Sequence, residues 1–207
     1  MLAFVYSYGF VVGILVLSTL LEKAKILNDE GARKFIHIAV AHWFILAIFT
    51  FDNAFLAALV PFTFILLNYL SWRFNLLSAL ERDDHSLADK GTIYYAVSLT
   101  IITFIAFSFD YQIEGLFAVL AMGYGDGFSA LIGRQFGNRK IYRNKSYAGS
   151  LAMFGFTLII GLLLFNAQWH LIIFIALAAT ALEMFTLKGY DNLSVPLTIF
   201  LLAVVIL

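Results

Sequence analysis

Two carboxylates interrupt otherwise apolar stretches of this 207-residue chain: Asp126 in "GYGDGFSALIGRQFG" (residues 123–137) and Glu183 in "ALEMFTLKGYDNLSVP". A charge at the centre of a bilayer costs about 2.5–3.5 kcal/mol on the insertion scale, so such residues face a cavity or a partner. Gly123, Asp126, Ala130, Gly133, Arg134 and Gly137 recur at steps of three and four, which puts them on one helical face. Small residues there admit a neighbouring helix as readily as a ligand. The acid is more informative, because it runs into a loop holding Arg134, Arg139, Lys140, Arg143 and Lys145. Mg²⁺ bound to phosphates takes one or two protein carboxylates, and surrounding cations neutralise the remaining phosphate charge. The combination suits a polyanion delivered with a divalent cation, with Asp126 as metal ligand and Glu183 or Asp191 as a second ligand.

Other polar groups gather around these. Ser146 is placed to cap the helix that follows the cationic loop, with Gly149 and Ser150 behind it and Lys145 beside it. Backbone N–H groups at a helix start bind anions. The plain alternative is a cationic loop that only fixes membrane orientation. No G-x-x-x-x-G-K-[ST] run occurs, so a nucleotide site here is not of the Walker kind. In "GARKFIH", Arg33 and His37 are four residues apart on one face, with Lys34 adjacent; His37 reads as a general base or as a hydrogen-bonded helix-end histidine. "DKGTIYY" sets Asp89 and Lys90 ahead of another helix start at Gly91 and Thr92. His37, Asp89 and Glu183 are the candidate bases, whereas His42 and His170 read as packing or interfacial residues.

The elements that must position these groups are membrane spans. The chain is 62% hydrophobic and 13% charged, against about 25% charged in soluble domains, and its mean hydropathy is +0.92. With about 20 residues needed per crossing, eight spans are predicted: Leu2–Leu21, Phe35–Phe51, Ala54–Leu70, Thr92–Phe109, Ile113–Gly133, Gly149–Phe165, Trp169–Leu187 and Leu193–Leu207. All 13 lysines and arginines fall after the odd-numbered spans, and the turns near Asp52, Asp110–Glu114 and Asn166–Gln168 have none. The positive-inside rule then makes the basic loops cytoplasmic and puts both termini outside. The first apolar stretch lacks a basic leader and a small-residue cleavage site, so it is expected to be a retained span.

No linker, low-complexity tract or repeat divides the sequence, so residues 1–207 form one all-α polytopic domain. Trp72, Leu76 and Leu80, in the loop from Ser71 to Lys90, share a helical face. They suggest either an interfacial helix or a frayed end of the third span. The absence of cysteine excludes disulfides and thiolate metal sites. Polar groups concentrated at one face, with little opposite, fit an enzyme taking a polyanionic cytosolic substrate and a membrane-dissolved one. A channel or carrier lines its full depth.

The order "ARKFIH", "KGTIYY", "GDGFSALIGRQFG", "KSYAGS", then Glu183 followed by "DNLSVP", resembles the CTP-dependent lipid-alcohol kinases, the family of dolichol kinase, phytol kinase and yeast-type diacylglycerol kinase. The resemblance runs from Gly31 to Pro196. It implies transfer of the γ-phosphate of CTP to the hydroxyl of a membrane lipid alcohol (polyprenol, phytol-like or diacylglycerol) with Mg²⁺ as cofactor. Arg33 and Lys34 match the family's Arg-Lys pair, and Asp126 and Gly133 match its Gly-Asp motif. The expected roles are catalytic for Arg33, Lys34, His37 and Asp126. Nucleotide binding is expected of Gly125, Gly133, Arg134, Gly137, Lys140, Lys145, Ser146 and Gly149. Phosphatidate cytidylyltransferases share the Gly-Asp and Lys-Ser elements, but their His-Gly-Gly and Asp-Arg-x-Asp continuation is missing. Cytidylyl transfer to phosphatidate and an anion-recognising transporter or binding protein are the alternatives. The expected setting is a prokaryotic cytoplasmic membrane with the site facing the cytoplasm and no nucleic-acid partner.

Overall fold

A computed structural model describes the chain except residues 75–89, 144, 166–168 and 188. The described residues form an all-α polytopic membrane protein of helices α1 (Leu2–Lys23), α2 (Asp29–Ala41), α3 (Trp43–Thr50), α4 (Ala54–Phe74), α5 (Gly91–Ser108), α6 (Gln112–Phe136), α7 (Tyr147–Leu164), α8 (Trp169–Phe185) and α9 (Asp191–Ile206). Strands β1 (Lys140–Tyr142) and β2 (Lys145–Ser146) make a small hairpin between α6 and α7. Six segments are long and apolar enough to cross a membrane, with α2 and α3 joined as one, and α8 and α9 are shorter apolar helices. Large apolar side chains such as Val16, Phe55, Phe62, Leu163 and Val205 face outward, as a lipid solvent permits.

The predicted spans coincide with these helices to within a few residues, except the second. That helix starts at Asp29 rather than Phe35, capped by Asn28, whose side chain accepts from the Gly31 amide at 2.8 Å. Asp29 and Glu30 occupy its first turn, where acids favour the positive helix end. It breaks at His42, whose ring bonds the Ile38 carbonyl and the Tyr124 hydroxyl, each at 3.0 Å. The early start places Arg33, Lys34 and His37 on a helix rather than at its frayed edge. Of the expected interfacial helix, Trp72 belongs to α4, while Leu76 and Leu80, like Asp89, lie outside the described residues.

α6 is the central helix and packs against α7, α2, α9, α5 and α3. Its glycines serve neighbouring helices. A Cβ at Gly123 would stand 2.5 Å from Ala41 Cβ, and one at Gly127 would stand 2.5 Å from Ile38 Cγ1, so α2 lies directly on this face. Gly125 opens the opposite side to Met153 of α7. Lys34 and His37 are thereby brought onto Asp126.

Candidate functional site

A cleft of about 540 Å³ opens between the hairpin and the ends of α2, α6, α7, α8 and α9. Asp126, Glu183 and Asp191 contribute carboxylates to its wall. Lys34, Arg134, Lys140, Arg143 and Lys145 contribute cations. Asp126 is buried and ion-paired with Lys34, and its Oδ2 lies 3.6 Å from His37 Nε2. Glu183, 1% exposed, pairs with Lys145 and accepts from Ser129 Oγ at 3.3 Å. Asp191 Oδ2 lies 3.5 Å from Lys145 Nζ, and its Oδ1 accepts from the Gly189 amide at 2.9 Å. Gly189 supplies the positive φ of 97° that this turn requires.

The hairpin sets the cationic side. Lys140 pairs in register with Ser146, and Tyr142 with Lys145, around a turn at Arg143 with φ of 51°. Burial would push the Lys145 ammonium down, but Glu183, Asp191 and Asp126 together outweigh it and hold its pKa above the ordinary value. It is therefore a cation at neutral pH. Ser146 caps α7 as predicted, accepting from the Gly149 amide at 3.2 Å. The Tyr147 amide donates to the Arg139 carbonyl at 3.2 Å. The helix start is thus partly satisfied by the chain itself.

Gly133 and Gly149 line the cleft and back each other, with Cβ positions 3.4–3.5 Å from the other's Cα. Gly125 and Gly137 sit behind the wall instead. Gly125 gives its space to Met153, and Gly137 closes on Ser146 and the Gly133 carbonyl. Arg33 pairs with Glu30 and, with His37, faces a second, apolar groove rather than the cleft. Sequence reasoning passed over Ser129, although it lies one turn from Asp126 on the same face. It also passed over Tyr95, whose ring stands 4.2 Å from that of His37, centroid to centroid.

Among the described residues no group of three or more His, Asp or Glu side chains is arranged to hold a metal ion unaided. The carboxylates nonetheless fit Mg²⁺ carried on phosphates. Glu183 Oε2 is buried without a hydrogen-bond partner among the described residues, an acceptor lacking a donor. Such an atom is costly unless a proton or cation meets it.

No protein-family model matches the chain, and no solved structure matches it. Curated relatives do. The chain is 28% identical to a phytol kinase of Synechocystis sp., over 92% of this chain and 85% of the relative. It is 31% identical to a probable chloroplastic phytol kinase of Triticum aestivum, over 88% and 69%. It is 30% identical to phytol kinase 1, chloroplastic, of Arabidopsis thaliana, over 88% and 68%.

Proposed function

The chain belongs to the phytol kinase family, and from that premise we propose that it is a lipid-alcohol kinase that transfers the γ-phosphate of CTP to an isoprenoid-type alcohol at the cytoplasmic face of its membrane. The observation that carries this is the cleft itself, where five cationic side chains converge on buried carboxylates beside a helix start. Buried ion pairs seldom stabilise a fold relative to apolar packing. Their concentration at one cleft is better explained by a charged substrate than by folding.

Phosphoryl transfer needs mainly positioning and charge stabilisation. Arg134, Lys140, Arg143 and Lys145 hold the triphosphate, and Lys34 bears on the transferred group from α2. Asp126, with Glu183 and Asp191 as further ligands, would hold Mg²⁺, which would neutralise phosphate charge. The bond from the γ-phosphorus to the bridging oxygen breaks and a bond to the alcohol oxygen forms. The nucleoside diphosphate leaves with the electron pair, and the hydroxyl proton passes to a base, for which His37 is placed next to Asp126. Preference for CTP rests on the sequence resemblance, and the acceptor class on the names of the relatives.

The test uses purified protein with CTP labelled at the α or the γ phosphate, Mg²⁺, isoprenoid alcohols, diacylglycerol and phosphatidate. Lipid that gains γ label supports the proposal, and competition by unlabelled ATP and GTP measures the CTP preference. Lipid that gains α label identifies cytidylyl transfer and overturns it. No labelled lipid in either arm leaves anion binding without chemistry.

A further inference from the structure

Behind α2, on the side away from the cleft, lies a groove of about 110 Å³ between α1, α2, α4 and α5. Its walls are apolar, with Val11 and Leu15 from α1, Val40 from α2, Phe64 from α4 and Leu99 from α5. His37 and Tyr95 line it side by side, one turn along their helices from Arg33 and Thr92. Tyr95 is 7% exposed, and among the described residues neither its hydroxyl nor His37 Nε2 has a hydrogen-bond partner. A buried polar group left unpaired costs about 1–3 kcal/mol. Two of them side by side in a mainly apolar slot mark a place for a group that both donates and accepts.

We propose that this groove receives the hydroxyl end of the lipid acceptor, with the alcohol hydrogen-bonded between Tyr95 Oη and His37 Nε2. The assignment rests on the lipid-kinase reading above and locates its second substrate. A nucleotide does not suit the groove: among the described residues, the Lys or Arg lining it is Arg33, which already pairs with Glu30, and the other lining side chains are neutral or apolar. A lipid alcohol suits it, since one hydroxyl satisfies both orphaned groups while its chain replaces lipid against Val11, Leu15 and Phe64. The volume is small beside the roughly 300–1,000 Å³ of a ligand pocket. The groove therefore takes the head of the acceptor and leaves its tail in the bilayer.

Its position relative to the cleft gives the proposal its force. Arg33 and Lys34 are consecutive on α2, yet Arg33 lines the groove and Lys34 lines the cleft. His37 Nε2 in the groove lies 3.6 Å from Asp126 Oδ2 in the cleft wall. A hydroxyl held by His37 thus lies beside the carboxylate that walls the cleft, and has only to pass Asp126 to come within the roughly 3–3.5 Å that transfer demands.

The deciding experiment irradiates the full chain in detergent with a long-chain isoprenoid alcohol carrying a diazirine beside its hydroxyl, and maps the labelled residues by mass spectrometry. Labels on α2 and α5 around His37, Tyr95 and Leu99 support the groove. Labels confined to the α6–α9 cleft, or to outward lipid-facing side chains alone, overturn it. Because labelling reads occupancy without turnover, it stands apart from the kinase test: transfer with labels elsewhere sinks only the groove, and labels in the groove without transfer sink only the kinase. Two variants supply an independent readout. Leu99→Trp, which fills the slot, is expected to raise the KM for the alcohol by at least about tenfold with nucleotide KM within about twofold. Tyr95→Phe, which removes one hydrogen bond, is expected to raise it by about three- to tenfold. An alcohol KM unmoved by both, in folded protein, overturns the proposal.

Discussion

The cleft and the groove lie on opposite sides of one helix and solve opposite problems. In the cleft the buried charges come in pairs, Lys34 with Asp126 and Lys145 with Glu183, and the surplus is cationic. In the groove the buried polar atoms His37 Nε2 and Tyr95 Oη have no hydrogen-bond partner among the described residues, the nearest charge to Nε2 being Asp126 at 3.6 Å, and the lining is mainly apolar. Five cationic side chains gathered with four carboxylates on one cleft wall suit a multiply charged anion carried with a divalent cation. A pair of neutral groups asks for a small hydrogen-bonding head on an apolar body. The difference teaches that, on the proposed reading, α2 is a partition whose Lys34 edge would serve a water-soluble substrate and whose His37 face a membrane-soluble one.

The partition is broken most severely at Asp126. Asp126→Asn keeps the shape of the wall and an acceptor toward Lys34 but removes the charge. Transfer is expected to fall by at least about a hundredfold, the scale of losing one preorganised electrostatic contact, while the protein still elutes as a folded species in detergent. Activity within a fewfold of the unmodified chain would remove Asp126 from the centre of the site. Lys145 comes next. Lys145→Met strands the Glu183 carboxylate, which is 1% exposed. Removing one member of a buried pair costs about 3–5 kcal/mol, and about 3 kcal/mol is expected here because Lys145 is a quarter exposed. Thermal unfolding in detergent reads this. Adding Glu183→Gln should recover most of the stability and none of the transfer. A double variant as unstable as the single would show that the pairing is not what matters.

How much of this was legible beforehand follows the physics of each feature. Hydropathy and the alternation of basic loops carry the spans, because a bilayer enforces both length and charge placement. The second span was misjudged at its start because Asp29, Glu30, Arg33 and Lys34 resemble a loop. The overlooked signal was Asn28 followed by acids in a first turn. The hairpin at Lys140–Ser146 leaves little trace, being two short strands joined through a left-handed Arg143. In the site, Asp126, Lys145 and Ser146 stood out as charges and a cap near apolar runs. Gly125 did not declare its direction, since spacing along one helix cannot say that Met153 waits on its other side. Tyr95 is one of ten tyrosines; what singles it out is a hydroxyl without a hydrogen bond among the described residues, beside His37, a property of two helices together.

The finest test of the partition touches neither substrate. Gly123 is where α6 meets α2, and a methyl group there would stand 2.5 Å from Ala41 Cβ, a contact with no flexible side chain to yield. Gly123→Ala therefore has to push α2 outward, at about 1–3 kcal/mol of overpacking. Gly155 on α7 has nothing within 4 Å of the same position, so Gly155→Ala is expected to be neutral or to gain up to about 1 kcal/mol from helix propensity. Thermal unfolding separates the two, but kinetics carries the sharper distinction. Leu99→Trp should disturb the alcohol alone. Gly123→Ala moves Lys34 and His37 together and should raise the KM of nucleotide and alcohol in parallel. A Gly123→Ala protein that is destabilised yet shifts only one of the two constants would mean that α2 does not couple the compartments.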